Sequence, residues 1–223
     1  MAVFKSIVFD LDGTLIDSAP EVRAAANRIL AEEGRRALSL DEVKSLVGEG
    51  AAATIEKALK LTGDAGTPEQ VKDFMRRYLR QYAANPAENT VIYPGVVETL
   101  ETLQAQGVTM GICTNKPKAT TIPVLEALGL DRFFRSVICA DDAPHRKPDG
   151  RHVTQTLEKM GVTVKSAAFV GDSETDIAAA RDAGVVSVAV SYGYCHIPLA
   201  ELPADAVIDH FPDLLQALNG LSS

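Results

Sequence analysis

The chain has 223 residues, 46% of them hydrophobic, with a formal net charge of −8 and only three cysteines. That is apolar material for one good core, or a core plus a smaller unit, while the acidic balance argues against a nucleic-acid-binding surface and suits small-molecule chemistry. Cys113, Cys139 and Cys195 are too few and too widely spaced for a disulfide framework or a zinc site and read as buried free thiols of a reducing cytosol; the start, MAVFKSIVFD, lacks the apolar stretch of a signal peptide, and no run of about 18 apolar residues suggests a membrane span.

In chain order, the first element is "SIVFD", a short apolar run that ends at Asp10 and is followed closely by Asp12 and Gly13. From about Asp17 to Asn89 only helical patterns follow. "SAPEVRAAANRILAEEG" opens on a cap-like Ser18 with Glu21 three residues on, and ends at Gly34. "AAATIEKALKL" ends before Gly63, and "TPEQVKDFMRRYLRQYAAN" begins Thr-Pro and ends at Asn85 and Pro86. The chain should leave a sheet near Thr14 and return near Tyr93-Pro94-Gly95. From there strands and helices alternate. "VTMGICTN" ends at Thr114 and Asn115, "SVICADD" at Asp141 and Asp142, "AAFVGDS" at Asp172 and "VVSVAVSYG" at Gly193. Helices are expected over Gly95–Ala105, Pro117–Leu128, Arg151–Met160 and Glu174–Asp182. "AVIDH" and a helix near Phe211–Leu218 close the chain.

Val- and Ile-rich runs linked by single helices read as a parallel sheet buried on both faces. The expected fold is therefore α/β, a Rossmann-like parallel sheet core with helices on both faces and an inserted helical subdomain. The core would comprise residues 1–16 and 90–223, and the helical unit residues 17–89. In such sheets ligands bind at the carboxyl ends of the strands. Asp10, Asp12, Thr114, Asn115 and Asp172 should meet there, with Lys147 reaching the same edge from its loop. Two carboxylates two positions apart at a buried strand end need neutralising, because an unpaired buried charge costs several kcal/mol, roughly, in practice. A hard divalent cation taking oxygen ligands, Mg²⁺, supplies that charge.

Taken singly, these stretches have dull readings. "DLDG" is a turn, "RKPDG" is a lysine before a turn, and "GDSETD" is a helix start capped by Ser173 or Asp172. Together and in order, "DLDGTL", "CTNK", "RKPDG" and "GDSETD" resemble the four motifs of the haloacid dehalogenase (HAD) phosphatase superfamily, over residues 10–176. The segment after the first motif resembles that superfamily's helical cap. "SAPEVRAAANRIL", "VGEGAAATIEKAL" and "SYGY" are further similar to phosphoglycolate phosphatases.

The resemblance implies a phosphomonoester hydrolase with Asp10 as nucleophile, Asp12 as general acid and base, and Lys147 balancing charge on Asp10 and the transferring phosphoryl group. It implies phosphate contacts from Gly13, Thr114, Asn115 and Lys147. The Mg²⁺ ligands would be Asp10, the Asp12 carbonyl and Asp172, supported by Ser173 and Asp176. Cap contacts would come from Gly48, Glu49 and Gly50, with Lys57 or Arg23 meeting a substrate carboxylate. Glu49 departs from the Asn common at that place and would oppose an anionic substrate, and Asp149-Gly150 stand where the family often has a second Pro. The expected partner is a small phosphorylated metabolite, with neither nucleic acid nor membrane, for a cytoplasmic monomer or homodimer. A pyrophosphatase, or a sugar-phosphate phosphatase or mutase, is the nearest alternative. A receiver-type signalling domain is the rival of another class, but Asp12 and the inserted helices suit hydrolysis. "RRYLRQY", Arg76 to Tyr82, reads as a solvated helix face, and His145, His152, His196 and His210 read as surface residues.

Overall fold

The computed structural model describes residues 4–221; the few residues beyond, which the expected core included, lie outside it. Six strands form one sheet in the order β5-β4-β1-β6-β7-β8. They are β1 (Ser6–Phe9), β4 (Thr109–Cys113), β5 (Ser136–Ile138), β6 (Ala167–Gly171), β7 (Val186–Val190) and β8 (Ala206–Ile208). Every pairing is parallel. The side chains of β1 alternate between two packed layers, as a strand's period of two requires. Ile7 and Phe9 join the main core, while Val8 joins a second cluster with Val153 and Leu157 of α7 (Gly150–Met160) and Ala179 and Ala180 of α8 (Glu174–Asp182). Both faces of the sheet are thus covered, which accounts for strands that read as continuous apolar runs.

The strand order places the site. β1 is central; the chain then fills the sheet outward through β4 and β5 on one side, and through β6, β7 and β8 on the other. At such a reversal the connections diverge and leave a crevice at the carboxyl ends of the strands. Asp10 follows β1 directly, flanked by the ends of β4 and β6.

The helical segment hangs from a two-stranded antiparallel ribbon, β2 (Ile16–Asp17) against β3 (Val91–Ile92). Between them lie α1 (Ala19–Glu32), α2 (Leu40–Lys44), α3 (Ala51–Thr62) and α4 (Pro68–Ala84). The Thr-Pro start of α4 forms a capping box with Gln70, and the short α2, absent from the sequence-based reading, has its own box between Ser39 and Glu42. Ile55, Leu59, Phe74, Tyr78 and Tyr82 pack into the same continuous core as Ile7 and Phe9. The remaining helices are α5 (Val96–Ala105), α6 (Lys118–Ala127) and α9 (Leu214–Gly220).

Three expectations need correction. Ser18 makes no side-chain cap on α1; its hydroxyl donates to Asp12 Oδ1 at 2.6 Å, and Glu21 accepts instead from the Asn89 amide at 2.6 Å. Histidine 152 is fully buried rather than on the surface, because it lies on the inner face of the amphipathic α7. The "RRYLRQY" stretch is solvated only through its arginines, since Tyr78 and Tyr82 turn inward at helical spacing. Of the three free thiols, Cys113 and Cys139 are buried and Cys195 is half-buried.

Candidate active site

Asp10, Asp172 and Asp176 bring carboxylate oxygens within 4.8 Å of one another at the strand ends. Each is placed by local structure. Asp10 is the first residue after β1, and its amide still donates to the Val170 carbonyl of β6. Asp172 leaves β6 as α8 begins; Ser173 is the N-cap of that helix and Asp176 its third residue, and together they form a capping box. Asp176 Oδ2 accepts from the amides of Asp172 and Ser173 and from the Ser173 hydroxyl, while Oδ1 faces Lys147 at 2.6 Å. Lys147 Nζ also lies 2.7 Å from Asp10 Oδ1. Burial opposes the charge on Lys147, but Asp10 and Asp176 more than offset it, and its pKa ends above the ordinary lysine value.

One lysine against three buried carboxylates leaves an excess of negative charge. Burial pushes Asp10 up to about 7, with Asp176 and Asp12 adding repulsion against the pull of Lys147. Asp172 is raised by burial and by repulsion from Asp176 and Asp10, although it accepts from the Tyr194 amide at 2.7 Å and the Thr14 hydroxyl at 2.9 Å. A closely spaced, all-oxygen, over-charged cluster is the donor set that a hard divalent cation fits. Gly13 is required beside it: its φ is +85°, and a side chain there would overlap the Asp172 carboxylate.

Asp12 meets a different lysine from Asp10. Lys116 Nζ holds both its oxygens, at 3.0 and 3.1 Å, and also donates to the Tyr82 hydroxyl of α4 at 3.0 Å. Lys116 is itself buried and sits 4.6 Å from the centre of the Tyr82 ring. Burial disfavours its charge, but Asp12 more than compensates and raises its pKa. The sheet edge therefore holds two buried lysines, each matched to one carboxylate of the "DLDG" turn, Lys147 to Asp10 and Lys116 to Asp12.

A cavity of about 50 Å³ opens between this edge and the helical segment, lined among others by Asp10, Asp12, Thr114, Asn115 and Lys116. Asn115 Nδ2 donates to the carbonyls of Gly48 and Lys147, at 3.1 and 3.0 Å, so it ties the helical segment and the lysine loop to the end of β4. The Thr114 hydroxyl accepts from the Lys116 amide. Gly48 and Gly50 line the cavity, and Gly50 lies so close to the Asn115 carbonyl that an added Cβ would stand 3.1 Å from it. Glu49 does not line the cavity. It is more than half exposed and pairs with Lys57 at 2.8 Å, and Arg23 is exposed. The structure thus gathers Asp10, Asp12, Gly13, Thr114, Asn115, Lys147, Asp172, Ser173, Asp176, Gly48 and Gly50, and leaves Glu49, Lys57 and Arg23 outside.

Sequence reasoning missed Lys116, Ser18 and the tyrosines of the loop after β7. Tyr192 donates to the Thr14 carbonyl at 2.9 Å, and Tyr194 donates to Asp17 at 2.6 Å while accepting from the Ser18 and Ala19 amides. That loop locks the β2 exit from the sheet against Asp172. The available signal was position: Lys116 directly follows Thr114 and Asn115 at a strand end, and "SYGY" directly follows β7 at the same edge.

Comparison with known proteins gives a consistent result. A family model described as haloacid dehalogenase-like hydrolase matches residues 7–190. The chain is 40% identical over 211 residues to a phosphoglycolate phosphatase of Agrobacterium fabrum, covering 95% of this chain and 91% of that protein. It is 42% identical over 212 residues to the phosphoglycolate phosphatase of Caulobacter vibrioides, covering 95% and 90% respectively. Its fold is similar to the crystal structure of a predicted phosphoglycolate phosphatase from Haemophilus somnus, with a TM-score of 0.91, 35% identity and coverage of 97% and 98%.

Proposed function

We propose that this chain, which belongs to the haloacid dehalogenase-like hydrolase family and is a phosphatase, cleaves small phosphomonoesters through an aspartyl-phosphate on Asp10, with Mg²⁺ bound and 2-phosphoglycolate as substrate. The observation that carries the reading is the buried Asp10–Lys147–Asp176–Asp172 cluster, whose Asp10 lines a small cavity together with Asp12, Thr114 and Asn115.

Asp10 Oδ would attack phosphorus and form an O–P bond as the ester O–P bond breaks. Asp12 would donate its proton to the departing alkoxide, then accept one from the water that cleaves the acyl phosphate, which restores Asp10 and frees phosphate. The Thr114 hydroxyl and the Asn115 backbone amide would hold phosphoryl oxygens. Lys147 would keep Asp10 anionic and offset charge on the transferring group. Asp10, the Asp12 carbonyl and Asp172 would hold Mg²⁺. Asp176 fits a supporting role better, since both its oxygens are already committed to Lys147, Ser173 and the Asp172 amide. Bound Mg²⁺ would neutralise the excess negative charge of the cluster and of the phosphoryl oxygens.

Residues 17–89 serve, in this reading, as a cap over the cavity, hinged at the β2/β3 ribbon, that excludes bulk water and limits substrate size. The Gly48 and Gly50 turn lets the cap backbone approach the strand ends.

The test combines one variant, metal removal and a substrate panel. Asp10→Asn should keep its melting transition and lose turnover by at least about a thousandfold. EDTA should abolish wild-type turnover and Mg²⁺ restore it. The kcat/KM for 2-phosphoglycolate should exceed that for an aryl phosphate by at least about tenfold. Normal turnover by Asp10→Asn would overturn the nucleophile. Undiminished turnover in EDTA would overturn the metal. Equal rates on the two esters would overturn the substrate.

A further inference from the structure

We infer that Lys116 selects the substrate by its carboxylate; this rests on the substrate and on the catalytic roles of Asp10 and Asp12 proposed above. A carboxylate-tailed substrate needs a cation in the cavity. Among the described residues lining it, Lys116 is the sole cation. The cap side contributes Val22, Val47, Ala51, Thr54 and Tyr78, none of them charged at neutral pH. Lys57 is paired with Glu49 outside the cavity, and Lys147, held by Asp10 and Asp176, does not line it.

The hydrogen-bond pattern explains how Lys116 becomes available. The ammonium group has three N–H donors. They are directed at Asp12 Oδ1, Asp12 Oδ2 and the Tyr82 hydroxyl. Asp12 Oδ1 is also held by the Ser18 hydroxyl at 2.6 Å, so Oδ2 is the less encumbered oxygen. When Oδ2 carries the proton that Asp12 passes to the ester oxygen, it becomes a weaker acceptor for Lys116, and the loosened N–H stays beside the ester oxygen. In a 2-phosphonooxy acid the carboxylate carbon is two bonds from the ester oxygen, which puts carboxylate oxygens within about 3 Å of it. The loosened N–H therefore meets a carboxylate at hydrogen-bonding range. A tail one methylene longer sets its carboxylate oxygens one bond farther from the ester oxygen and from that N–H. A tail without any acceptor, as in ethyl phosphate, leaves a buried ammonium N–H unpaired, which is the unfavourable state that discriminates strongly.

Two measurements test this. In the wild-type enzyme with Mg²⁺, kcat/KM should fall at least about tenfold from 2-phosphoglycolate to ethyl phosphate, and by a similar factor to 3-phosphonooxypropanoate, as expected for loss of one charge-assisted hydrogen bond. In Lys116→Met, rates on both 2-phosphoglycolate and ethyl phosphate should fall, because Asp12 loses its partner, but their ratio should collapse toward one. Lys57→Met should keep the wild-type ratio. A Lys116→Met enzyme that retains the wild-type preference would overturn the role of Lys116 and leave phosphoglycolate as the substrate. A wild-type enzyme with no preference for 2-phosphoglycolate over ethyl phosphate would overturn the substrate itself. If Lys116→Met does not fold, the methylene series on the wild type decides, and equal rates on the two acids would sink the proposal.

Discussion

The carboxyl edge of the sheet and the helical segment over residues 19–84 treat charge in opposite ways. At the edge, Lys147, Lys116, Asp172 and Asp176 are all buried, and each is held by named partners within about 3 Å, as a buried charge requires. On the helical segment, Arg36–Glu42, Arg76–Asp73 and Arg77–Glu32 lie on the surface, where solvent screening leaves little net attraction. The lining that the helical segment gives the cavity is apolar or hydroxyl-bearing. The difference teaches that the edge tolerates repulsion among its carboxylates by pairing them with buried lysines, and that the helical segment lends the cavity shape rather than charge. Its tie to the edge runs through Tyr82, whose hydroxyl accepts from Lys116, and through the Gly48 carbonyl, which accepts from Asn115.

The comparison breaks most visibly at Lys147. Replacing it with Met should remove turnover by at least about a thousandfold and leave Asp10 and Asp176 facing each other unpaired. Stability in EDTA, read by urea unfolding, should fall by about 3 kcal/mol. A variant as stable and as active as the parent would mean that the edge does not depend on this ion pair.

Burial without a matching charge is sampled at His152. Burial, with help from the nearby Lys147 charge, pushes its imidazole down to about 4, and neither ring nitrogen has a hydrogen-bond partner. Above pH about 6.5 both folded and unfolded chains hold it neutral. As the pH falls toward 4, the unfolded chain takes up a proton that the native state refuses, so stability declines across that window and levels off below it. Between pH 7 and pH 4.5 the wild type should lose about 2 kcal/mol more than His152→Gln. Equal losses in urea unfolding would show that His152 titrates freely.

The smallest effect belongs to the cap surface. Arg36→Ala removes a pair with Glu42, whose carboxyl the Arg36 hydrogen bonds and the Ser39 amide hold down at about 2. Both groups are solvated, so turnover should be unchanged and the melting temperature should shift only slightly. A large loss of activity would place this surface in the cap's motion and undo the contrast between the two regions.

Much of this architecture is written locally. The apolar runs that became β1, β4, β6 and β7 are buried on both faces, so each residue of the run reports its environment directly. The polar residue that ends each run marks the sheet edge, which is why Asp10, Thr114, Asn115 and Asp172 were legible together. The helical break between Asp17 and Asn89 was equally plain, because a period of 3.6 replaces continuous apolar runs. What the sequence could not decide was which partner each polar group would meet. Ser18 has the spacing of a helix cap with Glu21, yet its hydroxyl goes to Asp12 and Glu21 goes to Asn89. Lys116 stands in the "CTNK" stretch with no role of its own until the fold brings it 104 positions back along the chain to Asp12. The Tyr194 amide reaches Asp172, 22 residues away, and its hydroxyl reaches Asp17 across 177. Periodicity and capping are properties of a few neighbouring residues, and a chain carries them wherever it goes. A buried charge is satisfied by whichever group the packing of distant elements sets beside it, and only the closed sheet with its helical segment in place fixes that choice.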